Sequence, residues 1–420
     1  MAIGKHYSSL PEPEGAVTLR PYPYPFKAML AICSDLDETP DRDAYWSVMQ
    51  FLNSRNTGPL GAGVGLEVGN SIYFDMPPDQ FSYWNTDDQG RAMIRSLIQS
   101  GHIDCLHSFG DLATDRGHAG RALDELATHD CRLAVWVDHA VAPSNFGSDI
   151  MRGFGDVCGH RAYHADLTSA YGIRYVWRGR VTSVIGQDRP PSLKSVWNGR
   201  HRVASFRTLA KEKAKWALSR SWRSRYRIHR FNRVTSPARL RDGTAVIEFL
   251  RCNSHWGGVS CSDTADGIAD VLTPSFLDRL INRRGSCVLY THLGKRRREN
   301  GEGVLGTAAR DSFRHLADRQ SRGDLLVTTT KRLLDYCHTR DQLQLSVSKR
   351  DHRLYVDLSL RGPSRASELL QGITLYADAP ETPEVRLNGS HIPGIVCNAG
   401  DETGRPSVSV RWPALEFPQL

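Results

Sequence analysis

The chain predicts a mixed α/β fold of parallel strands joined by right-handed crossovers, followed by a smaller β-rich segment. Short apolar runs alternate with amphipathic helical spacing seven or eight times between Phe26 and Cys337, the pattern of repeated βα units. After about residue 340 the helical period gives way to an apolar–polar alternation of period two. No apolar run approaches the ~18–20 residues that span a bilayer. With 420 residues, 40% hydrophobic and 24% charged, the composition excludes collagen-like, coiled-coil and wholly disordered chains.

The first 25 residues, with Pro11, Pro13, Pro21, Pro23 and Pro25, predict an extended arm. Lys27 to Ser34 is nearly all apolar, as a strand buried on both faces should be, and Val64 to Val68 is a second candidate strand. Asp87 to Ser100 predicts a helix with Met93, Ile94, Leu97 and Ile98 on one side and Gly101 as its stop. Ile103 to Leu106 predicts a strand, Gly117 to Thr128 a helix and Leu133 to Val137 a strand. A short helix, Ala165 to Tyr171, precedes the strand Ile173 to Trp177. Further on come the strand Ala245 to Leu250, a helix from Thr273 (its N-cap) to Asn282, and the strand Cys287 to Tyr290. Ser312 to Gln320 (helix), Leu325 to Val327 (strand) and Lys331 to Cys337 (helix) complete the alternation. Two architectures satisfy it: a (β/α) barrel or an open doubly wound sheet. No glycine-rich nucleotide loop follows any strand, which argues against nucleotide chemistry. The C-terminal segment alternates at Leu343, Leu345 and Val347, and again at Leu354, Val356 and Leu358, and Asn388-Gly389 is a hairpin signal.

The strand ends carry the chemistry. The first ends in Ser34-Asp35-Leu36-Asp37, the second candidate carries Glu67, and the third ends in His107-Ser108 with Asp111 four residues after the histidine. Asp138-His139, Trp177-Arg178, Arg251 and Thr291-His292 end later strands. One polar residue at a strand end is ordinary. Carboxylates, imidazoles and guanidinia after nearly every parallel strand converge on one face, where such folds place their active sites. Asp37, His107 and Asp111 form a candidate three-ligand metal site with open positions, since imidazole nitrogen and carboxylate oxygen suit zinc and its neighbours. Taken singly, the aspartates also read as helix caps and His107 as a satisfied buried histidine.

Ala31-Ile32-Cys33-Ser34-Asp35-Leu36-Asp37, Gly101-His102-Ile103-Asp104-Cys105-Leu106-His107-Ser108 and Leu289-Tyr290-Thr291-His292 resemble the successive motifs of the polysaccharide deacetylase superfamily. The resemblance implies a distorted barrel of seven to eight βα repeats with one divalent metal. It makes Asp35 the catalytic base, Asp37 and His107 metal ligands, and His292 the general acid. In this chain Leu36 separates the two aspartates, which makes their roles interchangeable, and Asp111 stands where the family has its second histidine. Asp138-His139 occupies the region of the family's Arg-x-Pro segment, so His139 is either a substitute ligand or a substrate contact.

The expected organisation is an arm (1–25), a catalytic barrel (26–338) with a basic insertion at about 200–235, and a small β-sandwich (339–420). The expected function is metal-dependent hydrolysis of acetyl groups on a polysaccharide or glycan, N-acetyl before O-acetyl. One divalent metal, zinc first, is the cofactor, and His139, Arg251, Trp177 and Glu67 are candidate substrate contacts. A glycosidase on the same fold is an alternative needing a free second carboxylate such as Glu67 or Asp138. A catalytically silent glycan- or membrane-binding protein is another.

The net charge of +8 is concentrated between Lys211 and Arg233, where Lys213, Lys215, Arg220, Arg223, Arg225, Arg227 and Arg230 oppose only Glu212. Trp216, Trp222, Tyr226 and Phe231 interleave with them, which suits either an anionic membrane surface or a solvated insertion. Nucleic-acid partners are not expected, for want of any recognition motif. Nine cysteines without a C-x-x-C pair, and an early apolar run too short for a signal-peptide core, point to a reducing cytoplasmic setting, peripheral to the inner membrane if the basic stretch docks there.

Overall fold

The computed structural model describes residues 17–35, 38–197, 202–221, 226–255, 263–295, 304–350, 353–360, 367–377 and 383–420. The chain divides into two compact units: Phe26–Cys337 with Ala414–Leu420, and Met1–Pro25 with His338–Pro413.

The larger unit is mixed α/β and built on a nine-stranded sheet. Its order is Thr235–Arg239, Ala245–Phe249, Tyr175–Trp177, Val135–Val137, Ile103–His107, Gly69–Ile72, Ala28–Ser34, Ser286–Thr291, with Leu325–Thr328 also paired to Ala28–Ser34. Every pairing is parallel except that of Thr235–Arg239 with Ala245–Phe249. Ala28–Ser34 is buried at every residue, as its unbroken apolar run requires. Leu325–Thr328 pairs with its first half, Ala28 to Ala31, and Gly69–Ile72 with its last two residues.

Helices cover the sheet with their apolar stripes. Asp87 caps the Asp88–Gln99 helix by accepting from Gly90 N, and Met93, Ile94, Leu97 and Ile98 are its buried side. They pack with Leu106, Trp136 and Val176 of the sheet. Thr273 caps Pro274–Arg283 through Phe276 N. That helix sets Phe276 and Leu280 against Ala28, Leu30 and Ile32.

Val64 to Val68 does not form the expected strand. Val64 N and Leu66 N donate to Phe51 O and Leu52 O, and Val68 N to Asn53 Oδ1. The segment thus satisfies carbonyls that the last turn of the Arg42–Asn53 helix leaves without intrahelical donors. The sheet strand begins directly after it, at Gly69.

The smaller unit carries two four-stranded sheets. One joins Leu343–Arg350, Arg353–Leu360, Glu384–Leu387 and Ser390–His391; the other joins Thr18–Leu19, Thr374–Tyr376, Ser407–Val410 and Ile395–Asn398. Asn388 (φ +49°) and Gly389 (φ +82°) form the two-residue turn that the sequence signals. Residues 17–25, expected as a free arm, belong to this unit. Thr18 and Leu19 pair with Tyr376 and Leu375, and the buried Arg20 guanidinium donates to the carbonyls of Tyr22, Pro23 and Pro25 and to Asp401. The last seven residues belong instead to the larger unit, where Phe417 lies on Trp46 at 4.8 Å between ring centroids.

Candidate active site

Because the strands are parallel, their C-terminal ends deliver side chains to one edge of the sheet. Asp35 is the hub. It follows the first strand, is 1% exposed, and its backbone N–H is fixed on Thr291 O at 2.9 Å. Ser71 Oγ donates to Oδ1 at 2.5 Å, and His107 Nε2 lies 2.9 Å from Oδ2. Arg251 Nη2 stands 4.0 Å from Oδ1 and His292 Nε2 3.9 Å from Oδ2. Burial raises the Asp35 carboxyl, but His107, Arg251 and His292 together outweigh it and hold the group well below the usual carboxylate range. It is ionised at any ordinary pH.

His107 ends its strand with Tyr73 stacked on its ring at 4.5 Å. Both ring nitrogens face acceptors, Nδ1 the carbonyl of Val137 at 3.2 Å and Nε2 the Asp35 carboxylate. That geometry suits a doubly protonated ring. Burial opposes it and lowers His107 below its ordinary value. Asp35 thus stays ionised beside a ring that burial biases toward its neutral form.

The turn after His107 is tightly specified. Ser108 has φ +46° and Gly110 φ +105°, and a Cβ at Gly110 would sit 2.2 Å from Asp75 O. The turn carries Asp111 back to His139, whose Nδ1 lies 2.8 Å from Asp111 Oδ1. The His139 ring stands edge-on to His107 at 4.9 Å and to Tyr73 at 5.0 Å.

His292 forms a second acid–base pair. Its Nδ1 lies 3.1 Å from Asp263 Oδ1, and Asp263 also accepts from Lys295 Nζ and Tyr290 OH. Burial works to raise Asp263, but His292 and Lys295 prevail and lower it to about 2. Asp263 sits in a loop and Ser71 inside a strand; neither belongs to a motif in the sequence, and only the fold brings them here.

Arg251 is 2% exposed and held between the rings of Trp177 (4.2 Å) and Tyr290 (4.8 Å). Its Nε and Nη1 have no hydrogen-bond partner, an expensive arrangement for buried donors. Trp177 is 3% exposed and donates Nε1 to Arg180 O at 2.8 Å. It supports Arg251 from below rather than offering a face to a sugar.

The remaining expected residues are placed as follows. Asp37 lies outside the described residues. Glu67 is committed to Thr328 Oγ1 (2.8 Å), Arg332 Nη1 (2.5 Å) and Leu415 N (3.0 Å), and does not join the Asp35 cluster. Asp138 is fully buried and accepts from Trp136 Nε1, Phe146 N and Gly147 N; burial pushes it up to about 7 against those donors.

The expected metal set of Asp37, His107 and Asp111 is not assembled by the described residues. His107 Nε2 is turned on Asp35, Asp111 on His139, and the Arg251 cation stands beside Asp35. Among the described residues no group of three or more His, Cys, Asp or Glu side chains forms a metal cage.

Among the described residues no helix is long and apolar enough to cross a membrane. No family model matches the chain, and no curated protein matches it either.

Proposed function

We propose that this chain is a hydrolase that removes acetyl groups, N-acetyl before O-acetyl, from a glycan, on a divergent and distorted barrel of the polysaccharide deacetylase kind. The observation that carries the reading is the convergence of Asp35, His107, Arg251 and His292 from different strand ends onto one buried carboxylate.

In this reading water attacks the acetyl carbonyl carbon while Asp35 draws off its proton. A carboxylate held so low is a weak base, so that proton passes on to His107, whose neutral form burial favours and which can take it at Nε2. The two uncommitted nitrogens of Arg251 donate to the tetrahedral oxyanion, in a site where buried donors act strongly. As the carbon–nitrogen bond breaks, His292 gives a proton to the departing amine, its ring oriented by Asp263. Acetate and the free amino sugar are the products.

The glycosidase alternative needs a free second carboxylate, and Glu67 and Asp138 are both committed to protein donors. Product analysis on acetylated oligosaccharides tests the choice. Acetate without new reducing ends supports deacetylation; new reducing ends overturn it, and no product with folded protein favours the silent glycan-binding reading.

We place the work at the cytoplasmic face of a membrane, on nascent exopolysaccharide. The support is the Arg202–Leu218 helix, which buries only Ser205 and leaves Val203, Phe206, Trp216 and Leu218 exposed among its basic residues. Not all the basic residues are free: Lys211 Nζ bonds Ser183 Oγ, and Lys215 Nζ bonds Val181 O and Glu212. Residues 222–225 lie outside the described ones.

A further inference from the structure

A polar cavity lies among the loop after Val135–Val137, the residues after Tyr175–Trp177 and the strands Thr235–Arg239 and Ala245–Phe249. It has a volume of about 200 Å³ and is lined by Arg178, Arg180, Arg227 and Arg239, with Asp149 and Glu248 as its acidic groups. Four guanidinia face two carboxylates, an excess of two positive charges.

The two pairings in the wall are specific. Arg178 holds Glu248 in a two-point fork, Nε to Oε1 at 3.2 Å and Nη2 to Oε2 at 3.0 Å. Arg180 Nη2 donates to Asp149 Oδ2 at 2.5 Å. Arg180 is 4% exposed, yet its Nη1 has no hydrogen-bond partner. A buried guanidinium with an unmade hydrogen bond has a donor left for an acceptor entering the cavity. Arg227 and Arg239 are exposed at the rim and make no ion pair among the described residues. They supply the uncompensated charge.

The cavity is tied to the candidate active site through the backbone. Arg251 N donates to Arg180 O at 3.2 Å, and the same carbonyl accepts from Trp177, the ring beneath Arg251.

We propose that the arginine-lined cavity is a subsite for a carboxylate-bearing sugar, so that the substrate is an acidic glycan with uronic acid residues. Planar guanidinium forks match a carboxylate, as Arg178 and Glu248 already show within the wall. Pro237 and Ile228 give the lining an apolar side for a ring face, and Ser236 adds a hydroxyl. The substrate class rests on the hydrolase reading; the carboxylate subsite does not.

Calorimetric titration of the full chain with an oligogalacturonate, its carboxyl-reduced counterpart and inorganic phosphate tests it. The uronate should bind roughly tenfold or more tightly than the reduced form, with the preference shrinking as salt rises. Arg180→Lys should lose most of that preference. So should the Arg227→Ala/Arg239→Ala pair, whose exposed positions leave folding intact. Equal binding of the reduced form overturns the subsite, as does a preference that survives both variants. Phosphate displacing the oligosaccharide as well as the uronate itself does overturns the carboxylate assignment. Acetate release, followed separately on acetylated acidic and neutral glycans, keeps the two readings apart. Uronate binding without any acetate release sinks the hydrolase alone, and equal turnover of both glycans sinks the acidic-glycan substrate class alone.

Discussion

Asp35 combines two properties that rarely meet: it is fully buried and permanently charged. His107, Arg251 and His292 make that possible, and each comes from a different strand end. Asp263 acts one step back, through His292. Asp263→Asn should therefore lower kcat by about 10²-fold or more with KM nearly unchanged, and steady-state kinetics would show it. A fall in substrate binding alone would mean that the loop, not the proton path, was disturbed. Asp138 gives a different signal. Its carboxyl is raised from 3.8 to about 7, so between those values the folded chain holds a proton that the unfolded chain has released. The contribution of this group to stability should fall as pH rises through that window and level off above it, against the opposite slope of His102, His164 and His229, which burial lowers. The difference in urea midpoint between the native protein and Asp138→Asn, followed across the range, should carry that falling slope. The variant should also lose about 1–3 kcal/mol overall, because Gly147 N–H would then face an amide donor.

The elements most legible in the sequence are those whose period and caps agree. Asp88–Gln99 has its Asp87 cap, its apolar stripe and Gly101, and Pro274–Arg283 has Thr273. Val64 to Val68 misled because its apolar run serves a helix end rather than a sheet, a use that composition does not distinguish from a strand. The Arg42–Asn53 helix went unseen although Asp41 caps it through Ala44 N. The His107 turn was legible as chemistry and opaque as geometry, since nothing local says that Gly110 must touch Asp75 O. Gly110→Ala should cost more than about 1 kcal/mol in a thermal or denaturant melt, with loss of turnover if Asp111 and His139 are displaced. A fully stable variant would show that the turn relaxes freely. The Arg202–Leu218 helix should bind vesicles containing anionic lipid and release them in high salt. Co-sedimentation indifferent to both would remove the membrane from the proposal.

For the whole molecule, the period change near residue 340 marks the passage between the units, and the division at Cys337–His338 lies close to it. The ends of the chain were not legible. Thr18–Leu19 pairs as an edge strand with Thr374–Tyr376, and Ala414–Leu420 returns to Glu67 and Trp46, contacts between residues hundreds of positions apart. The candidate site was read as a list of strand-end residues, and the parallel sheet is what turns such a list into a cluster. Glu67 left that cluster because Arg332 and Thr328 claim it, whereas Ser71 and Asp263 joined it without any signature. The excess positive charge is likewise divided between an exposed helix and the cavity behind Trp177.

Acetate release from an acetylated oligosaccharide by the native chain and by Asp35→Asn, with folding of both checked by circular dichroism, bears most directly on the central claim. The expected result is measurable release by the native protein and a loss of about 10²-fold or more in a folded variant. Undiminished release by Asp35→Asn would contradict it, since the buried carboxylate would then have no part in the chemistry.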